Sequence, residues 1–313
     1  MSKELVLVLG ANGFIGSHLV DRLVKDGYSV RAFGRFKDKI SFNISPDVEI
    51  FNGEFLNQND LEQSLEGVSR VVHLVSTTNP SVSDKEPLID LNTNVEGSVA
   101  FFQKCVENGK INQIIFTSSG GTVYGDSYPG RPYSETDQTN PVSPYGIGKL
   151  AIENYLHYFN KTHNLNYTVL RIANPYGGRQ KNTKHQGIIP LIINNIAKGL
   201  PITVYGDGTM VRDYIHIDDL IDIITKSLSR DLKYNTYNVG SGVGVSVNEL
   251  VELVEEIVGR KAIIEHREQP ATFAQTSILD NSRIKNDIND LNSTSLYDGL
   301  KNLYTEYLNQ LNS

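Results

Sequence analysis

Two stretches of the 313-residue chain combine residue types at spacings that can do chemistry. The first is Gly10-Ala-Asn-Gly13-Phe14-Ile15-Gly16. Three glycines in this pattern make a tight turn, let backbone approach a pyrophosphate, and let a helix pack closely on a strand. A helix opening at the turn offers unpaired N–H groups and a positive dipole end to a dinucleotide phosphate. The second stretch is Tyr145-Gly-Ile-Gly-Lys149, preceded by Ser143-Pro144 as N-cap and first helical residue. At i, i+4 the phenol and the ammonium share one helix face. Lys149 is therefore expected to stabilise the phenolate and to lower the Tyr145 pKa from its usual value of about 10, giving a base for proton transfer. Gly146 and Gly148 each cost a helix interior about 1 kcal/mol relative to Ala, so something is expected to approach this backbone closely.

Other chemistries lack their residues. The seven histidines show no metal-binding spacing, so no metal site is expected, and there is no G-x-S-x-G elbow for a serine nucleophile. A single cysteine, Cys105, can form neither an intramolecular disulfide nor a thiolate cage, which fits a reducing, cytoplasmic setting. Lys and Arg number 29 against 36 Asp and Glu, a net charge of −7, the wrong sign for a nucleic-acid partner. The apolar run Leu5 to Leu9 is too short for a leader or a membrane span, and no membrane association is expected.

The elements that must position these residues follow from the apolar rhythm. Runs at 5–10, 28–33, 70–75 and 113–118 are apolar nearly throughout and are separated by helix-length segments. That pattern predicts parallel strands covered on both faces, a doubly wound α/β sheet of Rossmann type. The glycine turn falls between the first two strands, where a dinucleotide site belongs. At the end of the second strand the acid that binds a ribose diol is missing, and Gly34-Arg35 stands there with Lys37 nearby. Arg35 can pair with a 2′-phosphate, which favours NADP(H) over NAD on local chemistry, while a solvated loop residue is the plainer reading. Beyond Arg171 the rhythm changes to long loops, an isolated strand at 202–206 and helices near 187–198, 218–228 and 246–258. The chain thus divides into a dinucleotide-binding domain over 1–171 and a smaller mixed α/β substrate lobe over 172–313, with some segments returning to the first sheet. Ser246-Val-Asn-Glu249 matches a capping box, and Asp218 reads as an N-cap rather than a catalytic acid. His216 reads as structural.

Taken together, these residues resemble the extended branch of the short-chain dehydrogenase/reductase superfamily, the NAD-dependent epimerase/dehydratase enzymes of nucleotide sugars. The resemblance spans nearly the whole chain and includes Asn94-Val-Glu-Gly97, Thr122-Val-Tyr-Gly125, Arg171-Ile-Ala-Asn174-Pro-Tyr-Gly177, Val211-Arg-Asp-Tyr-Ile-His216 and Asn238-Val-Gly-Ser-Gly242. It implies that Tyr145 exchanges a proton with the sugar 4-hydroxyl, that Lys149 binds the nicotinamide ribose, and that Gly10, Gly13, Phe14, Ile15, Gly16, Arg35, Glu54, Phe55 and Asn94 line the cofactor. Glu54-Phe55 takes the place of the acid that contacts adenine. Asn174 and Arg212 are implied to hold the substrate diphosphate, against blander readings as a loop hydrogen-bonder and a surface ion pair.

Two departures stand out. The Ser or Thr that shares the sugar hydroxyl in the family is Gly120 here, so Ser119, or failing it Thr122, is the expected replacement. The Arg-Pro-Gly-Asp clamp on the nucleotide reads Gln269-Pro-Ala-Thr272, with Arg267 nearby. Gly121-Thr122 stands where dehydratases carry an Asp-Glu pair, which disfavours elimination of water. The resemblance therefore implies an NAD- or NADP-dependent enzyme transferring hydride at C4 of a hexose. A UDP-hexose 4-epimerase is the first expectation and a reductase of a dTDP-linked 4-keto-6-deoxyhexose the second. A non-catalytic dinucleotide sensor is a distant third, since Tyr145 and Lys149 are both present. Relatives dimerise through paired helices, here near 94–107 and 144–160, and a homodimer is expected.

Overall fold

The first strand, β1 (Leu5–Leu9), is buried at four consecutive positions, as in a parallel sheet covered on both faces. It leads through the glycine turn into α1 (Phe14–Lys25), whose buried residues include Leu19, Val20 and Leu23. The chain continues as β2 (Ser29–Gly34), β3 (Val48–Asn52), α2 (Gln58–Ser64), β4 (Arg70–His73), α3 (Pro80–Ser83) and α4 (Pro87–Asp90). A π-helical turn (Leu91–Val95) joins α4 to α5 (Glu96–Asn108), followed by β5 (Gln113–Ser119), α6 (Gly120–Val123) and α7 (Pro144–His163). Then come β6 (Tyr167–Ile172), β7 (Asn174–Tyr176), α8 (Ile188–Lys198), β8 (Pro201–Tyr205), β9 (Val211–His216), α9 (Ile217–Ser229) and β10 (Thr236–Val239). The chain closes with β11 (Gly244–Ser246), α10 (Val247–Val258), β12 (Ile263–Arg267), β13 (Thr276–Ser277), α11 (Ser282–Asp287) and α12 (Leu296–Leu311). The structure, a computed structural model, describes residues 3–37, 39–78, 80–126, 128, 130–180, 187–270 and 272–311.

Among the described residues, seven strands form one sheet in the order β10-β6-β5-β4-β1-β2-β3. Pairings of β1 with β2 and β4, of β2 with β3 and of β4 with β5 are parallel, with Val6 opposite both Val30 and Arg70. The winding direction reverses between β1 and β4, the switch point outside whose carboxyl ends open α/β sheets bind ligands. This is the doubly wound Rossmann arrangement expected from the sequence. Three of its strands were not among the expected runs. β3 is an edge strand with three of its five residues exposed, Glu49, Ile50 and Asn52, so its sequence VEIFN lacks the continuous apolar run of the inner strands. β6 is interrupted by Arg171, a charge that burial tolerates only because Glu153 of α7 takes it in a paired ion bridge at 2.7 Å. β10 is a four-residue strand that closes the far end of the sheet. The expected strand over 70–75 ends at His73, and residues 74–78 form a loop instead.

The chain forms two compact units. The first comprises the segments up to Ser119, Ser143–Arg171 and Ile221–Tyr237. Its core gathers Phe55, Phe101, Phe102 and Phe116 around the fully buried His73. His73 Nε2 shares a hydrogen bond of 2.9 Å with Ser98 Oγ, while Nδ1 is buried with no partner. Burial holds its pKa down at about 3, and the Lys149 charge adds to the effect, so the ring is neutral at pH 7.

The second unit comprises Gly120–Val142, Ile172–Leu220 and the chain from Asn238 onward. Its strand β9 pairs with β7, β11 and β13, and β8 pairs with β12. Helix α10 begins with the expected reciprocal cap, Ser246 and Glu249 each bonding the other's backbone. Asp218 is not an N-cap: α9 starts at Ile217, so Asp218 lies inside its first turn. There the carboxylate still favours the positive helix end.

Candidate active site

The glycine turn has the shape its residues predict. Gly10 adopts φ +83°, and its N–H donates to Phe33 O of the neighbouring strand at 3.0 Å. A Cβ at Gly16 would lie 2.8 Å from Ala11 Cα, so helix α1 rests directly on the turn. Gly13 caps α1 without a side-chain hydrogen bond, which leaves the first N–H groups of the helix, at Phe14 and Ile15, for another acceptor. Asn12 ties the turn to the following loop, donating to Lys39 O at 2.9 Å and accepting from Ser41 N at 2.8 Å. Together the close packing, the uncapped helix end and the switch-point position fit a dinucleotide pyrophosphate.

Around this cradle the expected residues divide. Arg35 is exposed just beyond β2, and Gly34 lies beside Asn12 of the turn. Glu54 is exposed, while the Phe55 ring turns into the core against His73 at 5.2 Å between centroids. What Phe55 offers a ligand is its main chain. Asn94 is engaged within the protein. Its Oδ1 accepts from Thr77 N at 2.9 Å and from Thr77 Oγ1 at 3.0 Å. Its Nδ2 donates to Thr78 Oγ1 and to Asp90 Oδ1, both at 2.8 Å. With its amide oxygen and nitrogen both used inside the protein, Asn94 holds the 76–78 loop.

On α7, Ser143 caps the helix as predicted, its Oγ accepting from Gly146 N at 3.2 Å. Tyr145 and Lys149 share the face expected, with Lys149 Nζ 5.7 Å from the Tyr145 ring centroid and 4.8 Å from that of Phe116. Lys149 is buried and donates to Thr117 O of β5 at 3.0 Å. Burial lowers its pKa to about 8, against the nearby carboxylates Asp90 and Glu153, which raise it. The phenol does not behave as its spacing suggested. Burial, assisted by the Asp90 charge, pushes Tyr145 up to about 12, and the opposing contribution comes from a hydrogen bond with the Ser76 side chain rather than from Lys149. The i, i+4 rule placed the two groups correctly, but desolvation outweighs a cation held at that distance.

Ser76, whose Oγ donates to Thr78 O at 3.0 Å, is the hydroxyl whose proximity opposes that rise, a neighbour that no expectation from the sequence included. The only signal for it was the run Ser76-Thr77-Thr78 directly after a strand at the switch point. Ser119, the expected replacement for the missing hydroxyl at Gly120, ends β5, and Thr122 lies in α6.

In the second unit, Asn174 lies on β7 and donates from Nδ2 to Asp213 O at 2.8 Å, so part of its amide serves the fold. Among the described residues, Arg212 on β9 bonds Val211 O at 2.8 Å, Gln275 O at 3.4 Å and Met210 Sδ at 3.6 Å. Among the described residues no carboxylate pairs with it, which removes the reading as a surface ion pair and leaves a guanidinium with its charge uncompensated. Burial lowers its pKa accordingly. The neighbouring Asp213 explains two of the motifs as framework. Its carboxylate accepts from Ser241 N at 2.8 Å, Ser241 Oγ at 2.7 Å and Gly242 N at 3.1 Å. Asn238 likewise joins Tyr124 Oη at 2.7 Å to Tyr133 O at 2.7 Å. Arg267 is exposed at the end of β12, and of the altered clamp Gln269-Pro-Ala-Thr272, residue Ala271 lies outside the described residues. His216 packs edge-on against Tyr176 at 5.3 Å, a structural contact. No helix among the described residues is long and apolar enough to cross a membrane.

Comparison with known proteins agrees with this geometry. The NAD dependent epimerase/dehydratase family matches residues 6–240. A dTDP-4-dehydro-6-deoxyglucose reductase of Escherichia coli is 35% identical, the match covering 96% of each chain. A UDP-glucose 4-epimerase of Mycolicibacterium smegmatis is 31% identical over 89% of this chain and 90% of its own. Among solved structures, a UDP-glucose 4-epimerase of Thermotoga maritima with UDP-glucose superposes with a TM-score of 0.92 at 32% identity, covering 98% of this chain and 99% of its own.

Proposed function

The chain belongs to the NAD-dependent epimerase/dehydratase family, and from that premise we propose that it is a nucleotide-sugar 4-epimerase acting on a UDP-hexose. The observation that carries the reading is the Tyr145–Lys149 pair on one face of α7, with Lys149 pinned by Thr117 O at 3.0 Å. Bound nicotinamide supplies a reversible hydride acceptor for C4 of the sugar. The protein's task is then to move one proton at the 4-hydroxyl and to hold the reactants in place. Tyr145 takes that proton as general base and returns it as general acid, and Ser76 shares its hydrogen bond. Lys149 holds the nicotinamide ribose and keeps a positive charge beside the phenol. The cradle at Gly10, Gly13 and Gly16 and the N–H groups of Phe14 and Ile15 take the pyrophosphate, with Glu54 and the Phe55 main chain at the adenine. Arg212, lacking a carboxylate partner, and Asn174 hold the substrate diphosphate. Ser119 serves as a second hydroxyl toward the sugar.

The second reading is a 4-ketoreductase using NADPH on a dTDP-linked 4-keto-6-deoxyhexose. Arg35 favours it, exposed at the end of β2 where a 2′-phosphate would lie, as does the name of the 35% identical relative. The two readings separate on the cofactor. Denaturing the freshly purified protein releases stoichiometric NAD if it is an epimerase, because a redox-neutral cycle has to keep its cofactor. An empty site that prefers NADPH, with NADPH consumed by a 4-keto sugar nucleotide and no interconversion of UDP-hexoses, overturns the epimerase.

We propose a cytoplasmic location, which nucleotide-sugar chemistry and the free Cys105 support. We also propose a homodimer built on α5 and α7. Ile147, Tyr155 and Tyr158 of α7 are 55%, 42% and 51% exposed, and Leu88 and Leu91 beside them 68% and 52%. Such an apolar patch suits a partner helix pair. Sedimentation at the monomer mass of 34.8 kDa at micromolar protein would exclude it.

A further inference from the structure

A glycine inside a helix needs a reason, and Gly148 has one. A Cβ at this position would collide with Oδ2 of Asp90, the last residue of α4. Asp90 is 2% exposed. Its Oδ1 accepts from Asn94 Nδ2 at 2.8 Å and from Thr78 Oγ1. Among the described residues no Lys, Arg or His lies within ion-pairing distance of it. A buried carboxylate without a direct counter-ion is costly and is retained where its charge has a use. Here its free oxygen is lodged against the turn of α7 between Tyr145 and Lys149. Both of its hydrogen-bond donors come from residues that fix the loop carrying Ser76.

We propose that Asp90 is a positioning residue of this site, fixing the 76–78 loop through Thr78 and Asn94 and setting a negative charge against the turn of α7 that carries Tyr145 and Lys149. The inference rests on the reading of Tyr145 as the acid–base group. The charged and titratable groups facing the pair are few. Lys149 and Glu153 lie on α7, His73 on β4 and Asp90 on α4, with Glu153 in turn neutralised by Arg171 of β6. His73 is neutral, so Asp90 is the carboxylate acting on both members of the pair, raising the phenol and the ammonium alike.

The test is the pH dependence of turnover in the cofactor-loaded enzyme with UDP-glucose, for wild type and Asp90→Asn. The substitution keeps size and an acceptor toward Thr78 and Asn94 but removes the charge. The rising limb of kcat is expected to move down by about 1 pH unit, the size of effect a close charge has on a buried group. A limb that stays in place, even with kcat reduced, overturns the proposal. Should Asp90→Asn not fold, Thr78→Val leaves the carboxylate but removes a donor that spreads its charge. The limb is then expected to move up, and an unmoved limb again overturns the proposal. Difference titration of phenolate absorbance between each protein and its Tyr145→Phe version gives the same shift without turnover. A wild type that titrates as expected but turns over no sugar nucleotide therefore sinks the catalytic reading and leaves the electrostatic one standing.

Discussion

Two buried clusters of charge lie one helical turn apart on α7, and they are built on opposite plans. Around Glu153 every group is answered. Arg171 reaches both carboxylate oxygens through Nε and Nη2 at 2.7 to 3.2 Å, and Ser118 Oγ donates at 2.5 Å. Around Tyr145 and Lys149 the groups are near one another without being matched. The ammonium rests on a carbonyl, the nearby carboxylate bonds an amide and a hydroxyl, and the phenol meets a serine. The first cluster locks β5, α7 and β6 together. The second leaves protonation to be decided by whatever binds there. Burial alone therefore does not mark a working site, whereas incomplete pairing within burial does.

Substitutions can break this contrast or sharpen it. Removing the phenol with Tyr145→Phe is expected to lower kcat by roughly 10²- to 10⁴-fold, as for loss of a general acid–base group, with the thermal midpoint unchanged. Steady-state turnover and a melting curve on the same sample check both halves. At the locked cluster the order reverses. Arg171→Met leaves Glu153 charged and buried and is expected to cost about 3 kcal/mol of folding stability in urea titration. The double change Glu153→Leu with Arg171→Met should recover most of that. A large loss of turnover in Arg171→Met without loss of stability would erase the distinction between the clusters.

His73 adds a pH handle to the same region. Its folded pKa of about 3 lies below its unfolded value near 6.5, so the unfolded chain binds the extra proton. The stability it permits is complete above pH 6.5 and falls by about 1.4 kcal/mol per unit as pH drops from there toward 3. Urea titrations between pH 7 and pH 4.5 should show this slope in wild type and its reduction in His73→Gln. The smallest expected effect is at the start of α7. Ser143→Ala removes one cap bond and should cost about 1 kcal/mol, with the Tyr145 titration unmoved.

How much of this was legible in the sequence depends on distance along the chain. The glycine turn, the Ser143 cap and the shared face of Tyr145 and Lys149 are local patterns, and they were read correctly. The collision that explains Gly148 was half legible: a helix glycine announces a close neighbour but not that the neighbour is Asp90, 58 residues earlier. Ser76 and Asp90 gave no periodic signal because their roles exist only once β4, α4 and α7 are packed. The internal partners of Asn94 were hidden for a related reason, since a motif shows that an amide is needed but not which groups saturate it. The expected fall in the Tyr145 pKa failed because sequence spacing carries proximity and not desolvation.

The π-helical turn at Leu91–Val95 has a consequence of its own. One residue more than an α turn is wound into it, which sets the phase of Asp90 against that of α5. Deleting a single residue there would restore continuous α winding and swing Asp90 by about 100° relative to α5. The carboxylate would leave Gly148 even though every side chain of the site remained in the sequence. The segment thus works as a phase setter, sensitive to its length more than to most of its residue identities.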